Sequence, residues 1–460
     1  MGNLRDFIDS LKRKKVTVIG MGISNTPLIE MCLQSGISVT VRDKRTRNEL
    51  GENADRFEKD GAALVLGEGY LDALNEDVIF RTPGLMPSNP AIVNAVRNGS
   101  VLTSEMEAFF DLCPCKIIGV TGSDGKTTTA SIIAELLKNQ GKTVHLGGNI
   151  GTPLLYDVDK IKPDDIAVVE LSSFQLISMW VSPGVAVVTN LSPNHLDIHR
   201  DMEEYIEAKR NIYKYQKPGD KVILNFDNEV TRDYAKAAIS DTLFFSRSQR
   251  VEDGAFLENG TVYTVCAGKS NEILKAGEIL LPGVHNIENY LAAFVAVQDI
   301  VDINIMQKTA KEFRGVAHRI ELVREQGGVK YYNDSIASSP SRTIAGLRSF
   351  GQKVILIAGG KDKGISFDEL GFEINDKVKK LILTGMSAQL IKDATENAKN
   401  YSAGLGITVC DDFTEAVCLA SKVASSGDVV LLSPACTSFD KFKNFEQRGD
   451  LFKKIVMEQL

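Results

Sequence analysis

The stretch from Lys116 to Thr128, KIIGVTGSDGKTT, constrains the fold of this chain more than any other. Ile117, Ile118 and Val120 form a β-branched run long enough for one buried strand. Gly122, Ser123, Asp124 and Gly125 break that strand, and from Ala130 to Asn139 the apolar residues Ile132, Ile133, Leu136 and Leu137 have helical spacing. A strand, a glycine-bearing turn and a helix N-terminus in that order make a phosphate cradle. Backbone N–H groups point into the turn, the helix dipole favours negative charge, Lys126 adds a cation, and Thr127 offers a hydroxyl to Mg²⁺. The strict P-loop pattern wants glycine five residues before Gly125, where this chain has Val120; its first turn glycine is Gly122. An ordinary strand-to-helix turn with an exposed lysine fits the same letters.

A chain of 460 residues is too long for one core and suggests about three domains. With 43% hydrophobic and 25% charged residues it reads as an ordinary soluble globular protein. A formal charge of −7, with no basic block or cluster of stacking aromatics, argues against a nucleic-acid partner. No apolar run approaches membrane-spanning length, and the start, MGNLRDFIDSLKRKK, lacks the apolar centre of a signal peptide. The seven cysteines are scattered and odd in number, which argues against a disulfide framework. Cys113 and Cys115 stand too close together for zinc spacing. These features together predict a cytosolic protein.

Before the phosphate turn, short strands alternate with helices. Val16 to Ile19 reads as a strand, followed by Gly20, Met21, Gly22 and a helix through Ile29 and Leu33. A second strand from Ser38 to Val41 ends at Arg42, Asp43, Lys44 and Arg45. This is similar to the dinucleotide fingerprint, in which an acidic residue after the second strand meets a sugar hydroxyl, but Asn25 stands where the third glycine belongs. It fits a nucleotide diphosphate better than NAD, and it also fits a plain tight βα turn. Strands are expected at Ala63 to Leu66 and Val78 to Arg81, the latter ending in Thr82, Pro83 and Gly84, where open α/β sheets bind ligands. The Cys113-Pro114-Cys115 neighbourhood reads as a domain junction.

Beyond the turn, Val168, Val169 and Leu171 mark a strand carrying Glu170, and Val185 to Val188 marks another that leads into Asn190, His195 and Asp197. Glu170 and His195 therefore both belong near strand ends. His195 with Asp197 suits either a metal or a structural role. In the helix from Met202 to about Tyr215, Lys209 lies three after Ile206 and four before Tyr213, on the apolar face. An inward lysine needs a partner or a modification, unless it snorkels with its ammonium in water. Asn286 and Asn289, three apart, share a helix face, as nucleobase readers or as caps. The α/β alternation restarts near Phe313, with strands ending at Asn333, Ile357, Leu383 and Leu432 and a helix carrying Phe442, Phe445, Glu446 and Arg448.

The stretches TGSDGKTT, ELSSFQL, NLSPNHLD, EAKRNIY, LPGVHNIEN, AHR, YYNDS and LLSPACTSFDKFKNFEQRG together resemble the Mur ligases of peptidoglycan synthesis, over nearly the whole chain. The last of them is most similar to the branch that adds D-glutamate. The resemblance implies an α/β chain of three domains, each with a mainly parallel sheet flanked by helices. These would be a UDP-binding Rossmann-like domain over 1–104, a central ATP-binding P-loop domain over 105–311, and a C-terminal Rossmann-like amino-acid-binding domain over 312–460.

It also implies an ATP-dependent ligase joining D-glutamate to UDP-N-acetylmuramoyl-L-alanine through an acyl phosphate, with two Mg²⁺ ions, acting as a cytoplasmic monomer. By that likeness Ile23, Ser24, Asp43, Lys44, Arg45 and Gly84 hold the uridine diphosphate and Asn149 meets the sugar-peptide. Gly122, Ser123, Asp124, Gly125, Lys126, Thr127 and Thr128 cradle the phosphates, and Asn286, Asn289, Arg319 and Asp334 take the rest of ATP. Thr127 and Glu170 hold one Mg²⁺; His195 and a Lys209 carbamylated by CO₂ hold the other, and Lys126, His195 and Lys209 are the catalytic set. Ser338, Lys363, Ser438, Phe439 and Phe445 position D-glutamate, although Ile336 and Ser338 depart from the lysine and threonine common in the family. Other readings are a different ligase of this superfamily, a non-enzymatic nucleotide-binding module, or a dinucleotide oxidoreductase resting on the GMGISN turn.

Overall fold

A computed structural model describes residues 4–151, 153–195 and 198–458. It contains three sheets in chain order and is a three-domain α/β fold. The first sheet comprises β1 (Val16–Ile19), β2 (Val39–Asp43), β3 (Ala63–Leu66), β4 (Val78–Phe80) and β5 (Val101–Thr103), in the order β3-β2-β1-β4-β5, all parallel. The chain reverses direction of travel between β1 and β4, so the crevice at their C-terminal ends is a ligand position for such sheets. The second strand runs two residues further than the sequence suggests, so Asp43 lies inside it.

The second sheet has nine strands: β6 (Lys116–Thr121), β7 (Val144–Gly148), β8 (Ile166–Glu170), β9 (Val185–Val188), β10 (Lys221–Asn225), β11 (Asp241–Ser246), β12 (Gly254–Glu258), β13 (Thr261–Cys266) and β14 (Lys269–Lys275). Their order is β14-β13-β12-β11-β10-β9-β6-β8-β7. Strands β6 to β12 pair in parallel, and β12, β13 and β14 form an antiparallel meander. Two turns force that meander. Asn259-Gly260 and Ala267-Gly268 both place two successive residues at positive φ, the conformation that matches a tight hairpin to strand twist. The Asn-Gly pair is a signal visible in the sequence; the strands beside it, GAFLE and TVYTVC, do not alternate strictly between apolar and polar residues.

The third sheet comprises β15 (Glu321–Gln326), β16 (Val329–Asn333), β17 (Val354–Ala358), β18 (Val378–Thr384), β19 (Gly406–Cys410) and β20 (Val429–Leu432), ordered β15-β16-β20-β17-β18-β19. Only the β15–β16 hairpin is antiparallel. Helix Phe445–Glu458 follows, and Phe442 lies before it rather than within it.

The chain divides into two compact units, Met1–Gly277 with Glu288–Thr309, and Glu278–Ile287 with Ala310–Leu460. The first two sheets share the former, where one apolar cluster runs from Val16 and Phe80 through Phe109 and Ile117 to Tyr205 and Leu224. The third sheet has apolar layers on both faces, as parallel strands require.

Candidate active site

The phosphate turn lies where β6 meets the helix Lys126–Asn139, which begins four residues earlier than apolar spacing suggests. Two glycines make the turn possible. Gly122 has φ +151 and Gly125 φ +78; a Cβ on the first would overlap Thr189 Oγ1, and one on the second Asn289 Oδ1. The turn is then fastened from the neighbouring strand. Thr189 Oγ1 donates to the Asp124 carbonyl at 2.5 Å, and Asn190 Oδ1 accepts from the Asp124 amide at 3.0 Å. Ser123 Oγ donates to the Ser192 carbonyl at 2.9 Å and lies 2.9 Å from Tyr205 OH. Ser123 therefore braces the turn.

Lys126 Nζ donates to the carbonyls of Gly122 (3.0 Å) and Ser123 (2.8 Å), so its charge sits over the cradle. Thr127 Oγ1 donates to Glu170 Oε2 at 2.7 Å across the β6–β8 pair, and Asn149 Nδ2 donates to Glu170 Oε1 at 2.9 Å. Glu170 is buried, and Asn149 stands beside it. A hydroxyl and a carboxylate beside this glycine turn are hard oxygen donors of the kind Mg²⁺ takes. Among the described residues no three His, Cys, Asp or Glu side chains cluster as a self-sufficient metal cage.

Lys209 does not snorkel. It lies on helix Met202–Lys214 and is 1% exposed, with Nζ donating to Thr121 Oγ1 (3.1 Å) and the Gly122 carbonyl (2.9 Å). Its Nζ also lies 5.0 Å from the centre of the Tyr205 ring. Burial, then the Lys126 charge, hold its pKa well below the usual lysine range, against the pull of Glu170 and Asp124. His195 is exposed, at φ +57, and packs edge-on to Phe174 with ring centroids 5.2 Å apart. The Phe174 ring also stacks on buried His199, whose Nε2 lies 2.9 Å from Ser173 Oγ. Asp197 lies outside the described residues. On the same unit Asn289 Oδ1 accepts from Thr129 Oγ1 at 3.2 Å.

At the first sheet, Gly20 takes φ +92 with Thr82 against it, which brings the β1 and β4 turns together. Asn25, standing where the fingerprint has glycine, closes the β1 turn through Nδ2 to the Ile19 carbonyl at 2.9 Å. Asp43 is buried and engaged, accepting from the Met21 amide (2.7 Å) and from the Arg45 guanidinium (2.7 Å). Burial pushes its carboxyl up, but the hydrogen bonds from Arg45 and Met21 outweigh that and leave it below the usual range. Ile23, Lys44 and Gly84 are exposed around the crevice, and Ser24 is partly so. Sequence reasoning missed Arg81. It is buried, donates to the carbonyls of Pro83 and Leu85 at 3.2 Å, and reaches Phe174 O at 2.6 Å, tying the β4 turn to the segment after β8. Burial lowers its pKa to about 10. Its place at a strand end before Thr-Pro-Gly was the available signal.

In the second unit, Asp334 is buried, accepting from Ser433 Oγ at 2.7 Å and the Ile320 amide at 3.3 Å. Burial pushes its carboxyl up to about 7, against the Ser433 hydrogen bond and the nearby Arg319 charge. Lys363 Nζ lies 3.3 Å from Ser338 Oγ, so those two residues meet. Phe439 is exposed, Ser438 is buried, and the Phe445 ring packs edge-on to His318 at 5.9 Å. Asn286 Nδ2 donates to the Pro282 carbonyl at 2.6 Å. Arg448 is the hidden support here. It is buried and donates to Ser335 Oγ (3.0 Å), Ser335 O (2.9 Å) and Cys436 O (3.2 Å), joining the loops after β16 and β20.

A three-domain α/β chain with a braced phosphate turn, a hydroxyl–carboxylate pair and a buried lysine under that turn has the outline of a nucleotide-using ligase. The chain belongs to the Mur ligase family. Residues 14–104 match the Mur ligase MurD-like N-terminal domain, 120–297 the Mur ligase middle domain, and 318–436 the Mur ligase glutamate ligase domain. It is 52% identical over 458 residues to the UDP-N-acetylmuramoylalanine–D-glutamate ligase of Acetivibrio thermocellus, covering 98% of each chain. It is 51% identical over 456 residues to the enzyme of that name from Clostridium kluyveri, covering 99% of each. Among solved structures it is similar to the UDP-N-acetylmuramate–alanine ligase of Thermotoga maritima, with TM-score 0.59 at 18% identity over 97% of this chain and 100% of that one. It is also similar to the MurF ligase of Thermotoga maritima in complex with ADP, at TM-score 0.56 and 19% identity over 98% and 97%. As a family member the chain is an ATP-dependent ligase of peptidoglycan precursor synthesis. Among the described residues no helix is long and apolar enough to cross a membrane.

Proposed function

We propose that this ligase adds D-glutamate to UDP-N-acetylmuramoyl-L-alanine in the cytoplasm, acting as a monomer with two Mg²⁺ ions. The observation that carries the reading is the convergence of Lys126, the Thr127–Glu170 pair and buried Lys209 on one phosphate turn. Residues 1–104 bind the uridine diphosphate, 105–311 the ATP, and 312–460 the incoming amino acid.

A carboxylate is a poor electrophile, so the alanyl carboxylate first attacks the γ-phosphate of ATP, giving an acyl phosphate and ADP. The D-glutamate amine then attacks the acyl carbon, and phosphate leaves from the tetrahedral adduct. In the first step the protein positions two anions and offsets their repulsion. Backbone amides from Gly122 to Thr128 and the Lys126 ammonium hold the triphosphate. Asn286, Asn289, Arg319 and Asp334 hold the nucleoside. Thr127 and Glu170 fit one Mg²⁺, and His195 with Lys209 a second; bound Mg²⁺ neutralises phosphate charge. Carbamylation of Lys209 turns an inward amine into an anionic oxygen ligand. Its depressed pKa supports this, because the free base is the form that adds to CO₂. Ile23, Ser24, Asp43, Lys44, Arg45 and Gly84 face the uridine diphosphate, with Asp43 acting through Arg45 and the Met21 amide. Asn149 acts beside Glu170. Ser338, Lys363, Ser438, Phe439 and Phe445 receive D-glutamate. The test is ADP formation by purified protein: it requires both UDP-N-acetylmuramoyl-L-alanine and D-glutamate. Turnover with L-lysine, L-glutamate or meso-diaminopimelate in place of D-glutamate would overturn the assignment.

A further inference from the structure

We propose that Cys113 and Cys115 form an oxidisable dithiol that a small peroxide closes to a reversible disulfide. The inference does not rest on the ligase assignment. Their sulfurs lie 3.5 Å apart, both as free thiols. Cys113 ends the helix Glu105–Leu112 in an extended conformation (φ −63, ψ 119), and Cys115 immediately precedes β6. Pro114 between them fixes its own φ near −65°, so the linking residue has little freedom to swing the thiols apart. A disulfide needs about 2.05 Å, so closure brings the sulfurs together by roughly 1.5 Å from their present 3.5 Å.

The surroundings select the oxidant. The two residues are 3% and 8% exposed, within the apolar cluster that includes Leu112 and Ile117. At that exposure oxidised glutathione cannot reach either sulfur, so the oxidant is a small neutral molecule such as hydrogen peroxide, admitted by local opening. The 3.5 Å contact is a shared hydrogen bond in which either sulfur can donate, so each thiol favours ionisation of the other. One thiolate attacks one peroxide oxygen and breaks the O–O bond, leaving a sulfenic acid and, after protonation, water. The second sulfur then attacks the first, forming S–S and releasing the second water. Two thiols lose two electrons and two protons in all, and one hydrogen peroxide becomes two waters. A ring this small is strained, so the disulfide is readily reduced again.

The test uses the full chain treated with hydrogen peroxide, then unfolded, alkylated and cut with trypsin. Arg97 and Lys116 bound one peptide, 98–116, that holds both thiols. The expected result is loss of two hydrogens from that peptide, reversed by dithiothreitol, with exposed Cys266 as the internal control for oxidation. Cys113→Ser and Cys115→Ser should each leave the remaining thiol as a sulfenic acid that dimedone traps, with no loss of two hydrogens from 98–116. If both thiols of 98–116 remain alkylatable in the parent protein after Cys266 is consumed, the proposal fails. Irreversible oxidation of one with the other still a thiol would sink it equally.

Discussion

Glu105 opens the helix Glu105–Leu112 and is 5% exposed, with Oε1 accepting the Leu155 amide at 3.1 Å. Burial pushes its carboxyl up to about 7 from 4.5, against that one hydrogen bond. Between those two values the folded chain holds a proton that the unfolded chain has lost. Folding therefore takes up a proton there, and stability falls as pH rises through the window. A difference of about 2.5 units, 7 less 4.5, corresponds to about 3 kcal/mol at roughly 1.4 kcal/mol per unit. Glu105→Gln keeps an oxygen for Leu155 and never ionises. The variant should match the parent near pH 4.5 and exceed its stability by up to about 3 kcal/mol at pH 8. Urea unfolding by circular dichroism at several pH values measures the gap, with emission from Trp180, the only tryptophan and part of the same unit, reporting on that unit. A gap that stays constant from pH 5 to pH 8 would refute the argument.

Lys126→Ala should abolish ADP formation while leaving the circular dichroism spectrum unchanged; near-normal turnover would remove Lys126 from the mechanism. Lys209→Ala should be inactive and regain activity with a small added carboxylic acid, and full activity of the parent under CO₂-free conditions would count against the carbamate. Gly125→Ala places a Cβ at φ +78 against Asn289 Oδ1, so nucleotide affinity should fall on titration, and unchanged affinity would show that the turn tolerates a side chain there. Arg448→Met leaves the Ser335 and Cys436 carbonyls short of a buried donor, at a cost of about 2 kcal/mol seen in urea unfolding of the second unit.

The phosphate turn was legible because its order of strand, glycines and helix is a local pattern, and locality is what a sequence displays. β3, β9 and β20 match their expected bounds for the same reason: each is a short apolar run closed by breakers. Asp43 shows the opposite case. A carboxylate after a second strand looks available to a sugar, yet it is filled by Arg45 and the Met21 amide. Arg81 and Arg448 look like surface cations in the sequence, and folding buries both among carbonyls far along the chain.

By itself the sequence determined where glycine must stand, that strand, turn and helix follow in that order, and to which family the whole pattern belongs. Tertiary structure decided that Lys209 is sealed from water, that Glu170 is shared by Thr127 and Asn149, and that Phe174 packs against both His195 and His199. The reason is physical: helical spacing tells which way a side chain points, but only the packing of distant segments sets how much water and which charges it meets there.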